Sequence, residues 1–214
     1  MLFRSDLLLR RASDAPTDPF RKGLTIISQQ TARATELLSD MSESARIDGN
    51  RLMLHLSILD LTEFVRRLVN EQSATASQHT IRLGDTDEPI YARFDQMRLA
   101  QAIQAMLSNA IKFSPNGGPI LVRLRRSAEH GEPEAIISVS DHGVGIPAGE
   151  QGEVFDRFKR GSNIRGQFGG LGLGLFAARE IVKRHGGRMW LESEIGGGTT
   201  CFAVLPLHEN TTTQ

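Results

Sequence analysis

Four separated stretches of this chain carry groups that could act together chemically: Asn109 with Lys112, Asp141-His142-Gly143-Val144-Gly145, Gly169-Gly170-Leu171-Gly172-Leu173-Gly174, and Gly196-Gly197-Gly198-Thr199. The side-chain oxygen of an asparagine is a neutral ligand suited to a hard cation such as magnesium, and a lysine brings point charge to phosphate oxygens. Asn109 and Lys112 are three positions apart, so a helix places them on one face. A glycine run that flows into a periodic helix sets unpaired N–H groups beside the positive end of the helix dipole, which suits phosphate. Asp141 follows the alternating Ile136, Ile137 and Val139 and so stands at a strand exit. A carboxylate there can accept from an exocyclic amine, which adenine carries and guanine lacks at the equivalent edge. The four stretches together describe a pocket for ATP.

Taken singly, each stretch has a plainer reading. Asn109 could bond locally near a helix end with Lys112 as a solvated flank, and Asp-x-Gly also marks ordinary turns. Phe113 could stack on a base or close the core. Glycines at 143 and 145 permit a tight turn and keep side chains away from a flat base. The glycine run is not a Walker A sequence, because no Gly-Lys-Ser/Thr follows it. It is not a dinucleotide fingerprint either, because no strand leads into it. Gly161–Gln167 lacks periodicity and reads as a mobile lid over the phosphates.

The elements that must hold these residues follow from periodicity. Leu54–Ile58 alternates like a strand, and Asp60 caps a helix reaching about Asn70. Thr80–Leu83 and Ile90–Phe94 are short strands joined by an acidic turn. Asp95 caps a helix over Gln96–Phe113, stopped by Ser114-Pro115-Asn116-Gly117-Gly118. Ile120–Leu124 and Ala135–Val139 alternate as paired strands, a helix runs from about Gly172 to His185, and Arg188–Ser193 pairs with Thr200–Leu205. This order lacks strict strand–helix alternation. It predicts an α/β two-layer sandwich, a mixed sheet with its helices on one face.

The first 48 residues differ. Phe20, Leu24, Ile27, Thr31, Ala34, Leu38, Met41 and Ala45 are spaced 4, 3, 4, 3, 4, 3 and 4 apart, a heptad seam on a long helix. One apolar stripe needs another helix or subunit to cover it, and a dimerising helical hairpin fits, with Leu2–Leu9 as a first short helix and residues 15–19 as the turn.

At 214 residues with no net charge, the chain suits one domain of about 150 residues plus an appendage. Balanced charge gives no electrostatic case for a nucleic-acid surface. No run approaches the roughly 20 apolar residues of a membrane span, so no membrane contact is expected of this segment. Cys201 is the only cysteine; its apolar strand context predicts a buried, inert thiol and suits a reducing cytoplasm.

The motifs resemble those of the catalytic and ATP-binding region of bacterial sensor histidine kinases, within the superfamily that includes DNA gyrase, Hsp90 and the mismatch-repair ATPases. Arg98–Pro115 resembles the N box, Asp141–Ile146 the G1 box, Phe155-Asp156-Arg157-Phe158 the F box, Gly170–Gly174 the G2 box and Gly196–Thr200 the G3 region, in the family's order across residues 50–207. The resemblance implies a Bergerat-type ATP-binding fold over 49–208, preceded by part of a dimerisation hairpin over 1–48 and followed by a polar tail over 209–214. By position, it implies that Asn109 binds magnesium and, with Lys112, serves catalysis at the phosphates. Phe113, Asp141, Gly143, Gly145 and Ile146 would hold the base and lid hinge; Gly170, Leu171, Gly172, Leu173, Gly174 and Thr199 complete the nucleotide site.

Two departures stand out. Ala105 occupies the position, four before Asn109, where the family usually carries Asn or Glu. An alanine cannot activate water, which disfavours a hydrolytic ATPase. No histidine precedes His55, so the phosphoacceptor stretch of the family is absent; either a longer kinase carries it or a short form has lost it. The resemblance thus implies a kinase that binds ATP with magnesium, does not label itself, and delivers the γ-phosphoryl to a histidine outside this chain. It implies homodimerisation through 1–48, a phosphoacceptor domain and a response regulator as partners, and a cytoplasmic place in a protein that could be membrane-anchored. A regulatory nucleotide-binding module without transfer is the alternative.

Overall fold

A computed structural model describes residues 23–28, 30–31, 53–84, 86, 88–128, 131–164 and 168–207. Among the described residues from 53 onward, strands and α-helices run in the order β1 (Ser57–Asp60), α1 (Leu61–Thr75), β2 (His79–Leu83), β3 (Tyr91–Phe94), α2 (Gln96–Lys112), β4 (Gly118–Ser127), β5 (Glu134–Ser140), α3 (Gly174–Arg184), β6 (Arg188–Glu194) and β7 (Gly198–Pro206). The main sheet is five-stranded in the order β2-β4-β5-β7-β6. β2 and β4 are parallel and the other neighbours antiparallel, so the sheet is mixed as expected.

Alternation on the strands assigns the core. Ile120, Val122 and Leu124 of β4, Ala135, Ile137 and Val139 of β5, and Cys201, Ala203 and Leu205 of β7 join one cluster with Leu61, Phe64 and Val65 of α1, Leu99, Ile103 and Leu107 of α2, and Ile181 and Val182 of α3. All three helices therefore cover the same face of the sheet. The intervening side chains point to the other face, where Trp190 stacks on Phe202 at 4.8 Å.

The fold decides strand partners and moves one strand boundary. β2 and β3, joined by the acidic turn, lie in different sheets: β3 pairs antiparallel with β1, as a separate two-stranded sheet. Sequence alternation marks which side of a strand is apolar but not its partner, and the short β2 finds a parallel neighbour instead. The first strand also begins later than Leu54, at Ser57. His55 spends its backbone N–H on Asp95 Oδ2 at 2.7 Å rather than on a ladder.

Helix ends follow local chemistry. Asp60 accepts from Glu63 N at 3.0 Å and Asp95 Oδ1 from Arg98 N at 3.0 Å, so both expected caps are present. α1 continues past Asn70 to Thr75, because no glycine or proline interrupts it. α3 starts at Gly174 rather than Gly172: Gly172 has φ 72°, left-handed backbone that a right-handed helix excludes. Of the expected heptad helix, residues 23–28 and 30–31 are helical, with Ile26 and Ile27 exposed; the remainder lies outside the described residues. No helix among the described residues is long and apolar enough to cross a membrane.

Candidate nucleotide site

The C-terminal half of α2, the exit of β5, strands β6 and β7 and the start of α3 enclose one cleft. Its floor is apolar, formed by Met106, Val139, Val144, Leu191 and Cys201, and Asp141 is its carboxylate. Asn109, Lys112 and Phe113 reach it from α2, Ile146 and Gly145 from the loop after β5, Thr199 from β7, and Gly170, Leu171, Gly172 and Gly174 from the glycine run. Eleven of the thirteen residues expected at the site thus line this one cleft.

Gly143 and Leu173 do not line it. A Cβ on Gly143 would collide with the Phe113 carbonyl. Its glycine identity thus serves the close approach of loop and helix, not the room for a base. The same carbonyl accepts Val144 N at 3.0 Å, which locks the loop to the end of α2. Leu173 is buried in the interior as the residue from which α3 starts, its carbonyl accepting Ala177 N at 2.9 Å. Gly145, at φ 70°, abuts the Glu194 carbonyl, and Gly198, at φ 96°, abuts that of Asp141. At either position a side chain would push the cleft walls away from each other.

Asp141 is held rigidly. Its Oδ1 accepts Gly143 N at 2.8 Å and Thr199 N at 3.2 Å, while its own N–H donates to the Thr199 carbonyl at 2.9 Å. Burial pushes its proton affinity above that of an ordinary carboxyl, opposed by the Gly143 and Thr199 N–H groups, by His142 and by Ser114. Ser193 Oγ accepts from Ile146 N at 2.8 Å and lies 2.8 Å from Thr199 Oγ1, fastening the opposite wall.

The other end of the cleft is cationic. Lys112 Nζ fills the space beside Gly170, 2.6 Å from where a Cβ would stand, and Gly170 holds φ 99°, so a side chain there would be strained and would displace the ammonium. Phe113 meets Phe168 edge-on at 5.2 Å and lies 5.4 Å from Lys112 Nζ, tying the end of α2 to the approach of the glycine run. Unlike α1 and α2, α3 has no side-chain cap, and its first intrahelical bond is Ala177 N to the Leu173 carbonyl at 2.9 Å. The earlier N–H groups of that helix are left for a ligand at the cleft. Ala105 sits opposite, 3.9 Å from a notional Cβ on Gly174; a small residue at each position lets the two helices approach.

Sequence reading missed Lys159 and Arg160, which also line the cleft. Arg160 donates to the carbonyls of Ile164 and Phe168. Two consecutive cations before a glycine-rich stretch were the available signal. Of the expected lid, residues 165–167 lie outside the described residues. In its described portion, Asn163 Nδ2 donates to the Gly145 carbonyl at 2.9 Å and Glu150 accepts from Ser162 N at 2.7 Å. Cys201 is buried as expected, its thiol pKa pushed up to about 12 by burial.

Residues 94–209 match the family model described as histidine kinase-, DNA gyrase B- and HSP90-like ATPase. The chain is similar to the sensor histidine kinase WalK of Bacillus subtilis, at 32% identity over 87% of this chain and 30% of that protein. It is also similar to the sensor protein kinase WalK of Staphylococcus aureus, at 28% identity over 86% of this chain and 44% of that protein. It therefore spans less than half the length of either. Among solved structures, a mycobacterial sensor histidine kinase, MprB, superposes with TM-score 0.60 at 30% identity, over 71% of this chain and 97% of that one. Full-length ShkA in complex with AMPPNP superposes with TM-score 0.71 at 22% identity, over 94% of this chain and 41% of that one, a likeness of fold. With a family match over 94–209 and the cleft built from its motifs, the chain belongs to the histidine kinase-, DNA gyrase B- and HSP90-like ATPases.

Proposed function

We propose that this chain is the catalytic and ATP-binding region of a sensor histidine kinase, which binds ATP with magnesium and passes the γ-phosphoryl to a histidine outside the chain. The observation that carries the reading is the meeting of Asp141, Asn109, Lys112 and the uncapped start of α3 in one cleft with an apolar floor. Adenine lies over Val139, Leu191 and Cys201 with its amine on Asp141. The polyphosphate lies along Gly170–Gly174, neutralised by Lys112, Lys159 and Arg160. Asn109 supplies a neutral oxygen of the type magnesium accepts and would hold the ion, which would neutralise phosphate charge when bound.

In transfer, the bond from the γ-phosphorus to its bridging oxygen breaks as a bond to the acceptor imidazole nitrogen forms, and ADP leaves. The chain's residues contribute positioning and charge neutralisation rather than covalent chemistry. Ala105 offers no base to activate water, so hydrolysis by that route is slow. Residues 1–48 act as a portion of a dimerisation hairpin, 49–208 as the catalytic unit and 209–214 as a tail. A response regulator receives the phosphoryl next. This region works in the cytoplasm, and the whole protein is open to membrane anchoring.

The test is phosphoryl transfer with radiolabelled ATP, the chain alone and with a purified dimerisation domain bearing an acceptor histidine. Acid-labile label on the added domain and none on the chain itself is the expected result. Label on the chain would overturn the absence of an internal acceptor. ATP binding without transfer to any acceptor would instead favour a regulatory module.

A further inference from the structure

Ser114 closes the helix stop after α2 and is only 3% exposed, and its Oγ is buried with no hydrogen-bond partner. A buried, unmade hydroxyl costs about 1–3 kcal/mol, so its retention calls for a use. Its backbone cannot drift: the Ser114 carbonyl accepts Gly117 N at 3.0 Å and lies 2.9 Å from His79 Nε2. The preceding Phe113 carbonyl is fixed against the Asp141 loop through Val144 N. Across that contact, the described hydrogen bonds to the Asp141 carboxylate both end on Oδ1. Two N–H donors fill the lone pairs of that oxygen, which leaves Oδ2 with two acceptor positions.

Building on the nucleotide reading of the site, we propose that Ser114 is a positioning residue for Asp141: a turn of its side chain lets the hydroxyl donate to Oδ2, orienting the carboxylate so that the remaining lone pair faces the amine of the base. One acceptor position then serves the protein and one the ligand. A Cβ on Gly143 would collide with the Phe113 carbonyl oxygen and stand 2.9 Å from Asp141 Oδ1, so the chain enters Ser114 directly beside the carboxylate. Other groups about Asp141 are His142 on its own loop, the neutral Cys201 thiol on β7, and Lys112, Lys159 and Arg160 lining the same cleft. A substitution at Ser114 alters none of them.

The experiment follows the Asp141 carboxyl carbon by NMR through a pH titration of the free chain, and measures adenosine affinity near neutral pH, for the unsubstituted protein, Ser114→Ala and Ser114→Thr. Adenosine carries no phosphate and isolates the base. Ser114→Ala is expected to move the Asp141 midpoint upward and to weaken adenosine roughly threefold to tenfold, the scale of one hydrogen bond. Ser114→Thr is expected to restore both. A hydroxyl with a merely structural role would change unfolding without moving the titration. An Asp141 midpoint unchanged in Ser114→Ala overturns the proposal. Failure of adenosine to bind the unsubstituted protein would refute the nucleotide reading instead, and the titration would still decide the role of Ser114.

Discussion

Phe158 donates its backbone N–H to the Gly172 carbonyl at 3.2 Å, and both residues hold left-handed backbone, with φ of 61° and 72°. Glycine adopts that conformation freely, whereas phenylalanine is strained in it by about 1–2 kcal/mol. Such strain persists only where the surroundings over-determine the backbone. Here Arg157 lies over Phe176 at 4.4 Å, Arg179 over Phe155 at 5.6 Å, and Arg179 pairs with Asp156 at 3.2 Å. The turn before the cleft is thus stapled to α3 from both sides, and the Phe158 ring is left 65% exposed.

Phe158→Gly is therefore expected to leave stability unchanged or raise it by up to about 1 kcal/mol, since relieved strain is partly offset by the unfolded-state entropy of glycine. Gly172→Ala is expected to cost roughly 2 kcal/mol or more, because its Cβ would press on the Lys159 carbonyl in a backbone region closed to alanine. Urea unfolding of the two variants checks the opposed signs; destabilisation by both would contradict the account of the turn.

Buried His185 predicts a pH dependence of stability. Its Nδ1 lies 2.8 Å from the Ile181 carbonyl and its Nε2 accepts Asp95 N at 3.0 Å, so the neutral ring satisfies both contacts. Burial lowers its pKa from the ordinary 6.5, against the opposing influences of Ile181 and Asp95. The unfolded chain then binds the proton more readily. Stability is present in full above 6.5 and declines as pH falls through that value toward the lowered folded pKa. His185→Gln should flatten this decline. Asp95 acts at lower pH: burial would raise its pKa, but the N–H groups of Arg98, His55 and Met97 and the charge of His185 outweigh it. Its contribution is lost only as pH falls below the ordinary 3.8 toward the lowered folded pKa. Thermal unfolding across pH, with and without His185→Gln, checks both windows.

The positions of the caps, the helices and the cleft were legible in the sequence because Asp60, Asp95, the glycine run and the alternation on β4, β5 and β7 are local signals. The β1–β3 pairing was not, since residues far apart in the chain compete for a strand's edge and periodicity is silent on the winner. Gly143 was legible as a glycine that matters, but its reason was not: the carbonyl it spares belongs to Phe113 and becomes a neighbour only in the fold. Lys159 and Arg160 lie in a stretch with no period, and only the fold turns them into the cleft.

Assembly makes a separate prediction. Ile26 and Ile27 are each 57% exposed on the described helical stretch, whereas Leu24 is only 9% exposed. On the proposed dimerisation role, Ile27 meets a second copy. Light scattering should give a mass that rises above 23.6 kDa with concentration, and Ile27→Glu should hold it there. A mass fixed at the monomer value in both proteins would contradict the seam.

The central claim is that Asp141 reads adenine in a magnesium-nucleotide site. Calorimetry of the purified chain with ATP and with GTP, in magnesium, tests it most directly, with Asp141→Asn and Asn109→Ala alongside. ATP should bind more tightly than GTP. Asp141→Asn should weaken ATP by about 1–3 kcal/mol, the scale of a hydrogen bond to a charged group, and Asn109→Ala should abolish the enhancement of ATP binding by magnesium. Equal affinity for the two nucleotides, or ATP binding untouched by Asp141→Asn, would contradict the account.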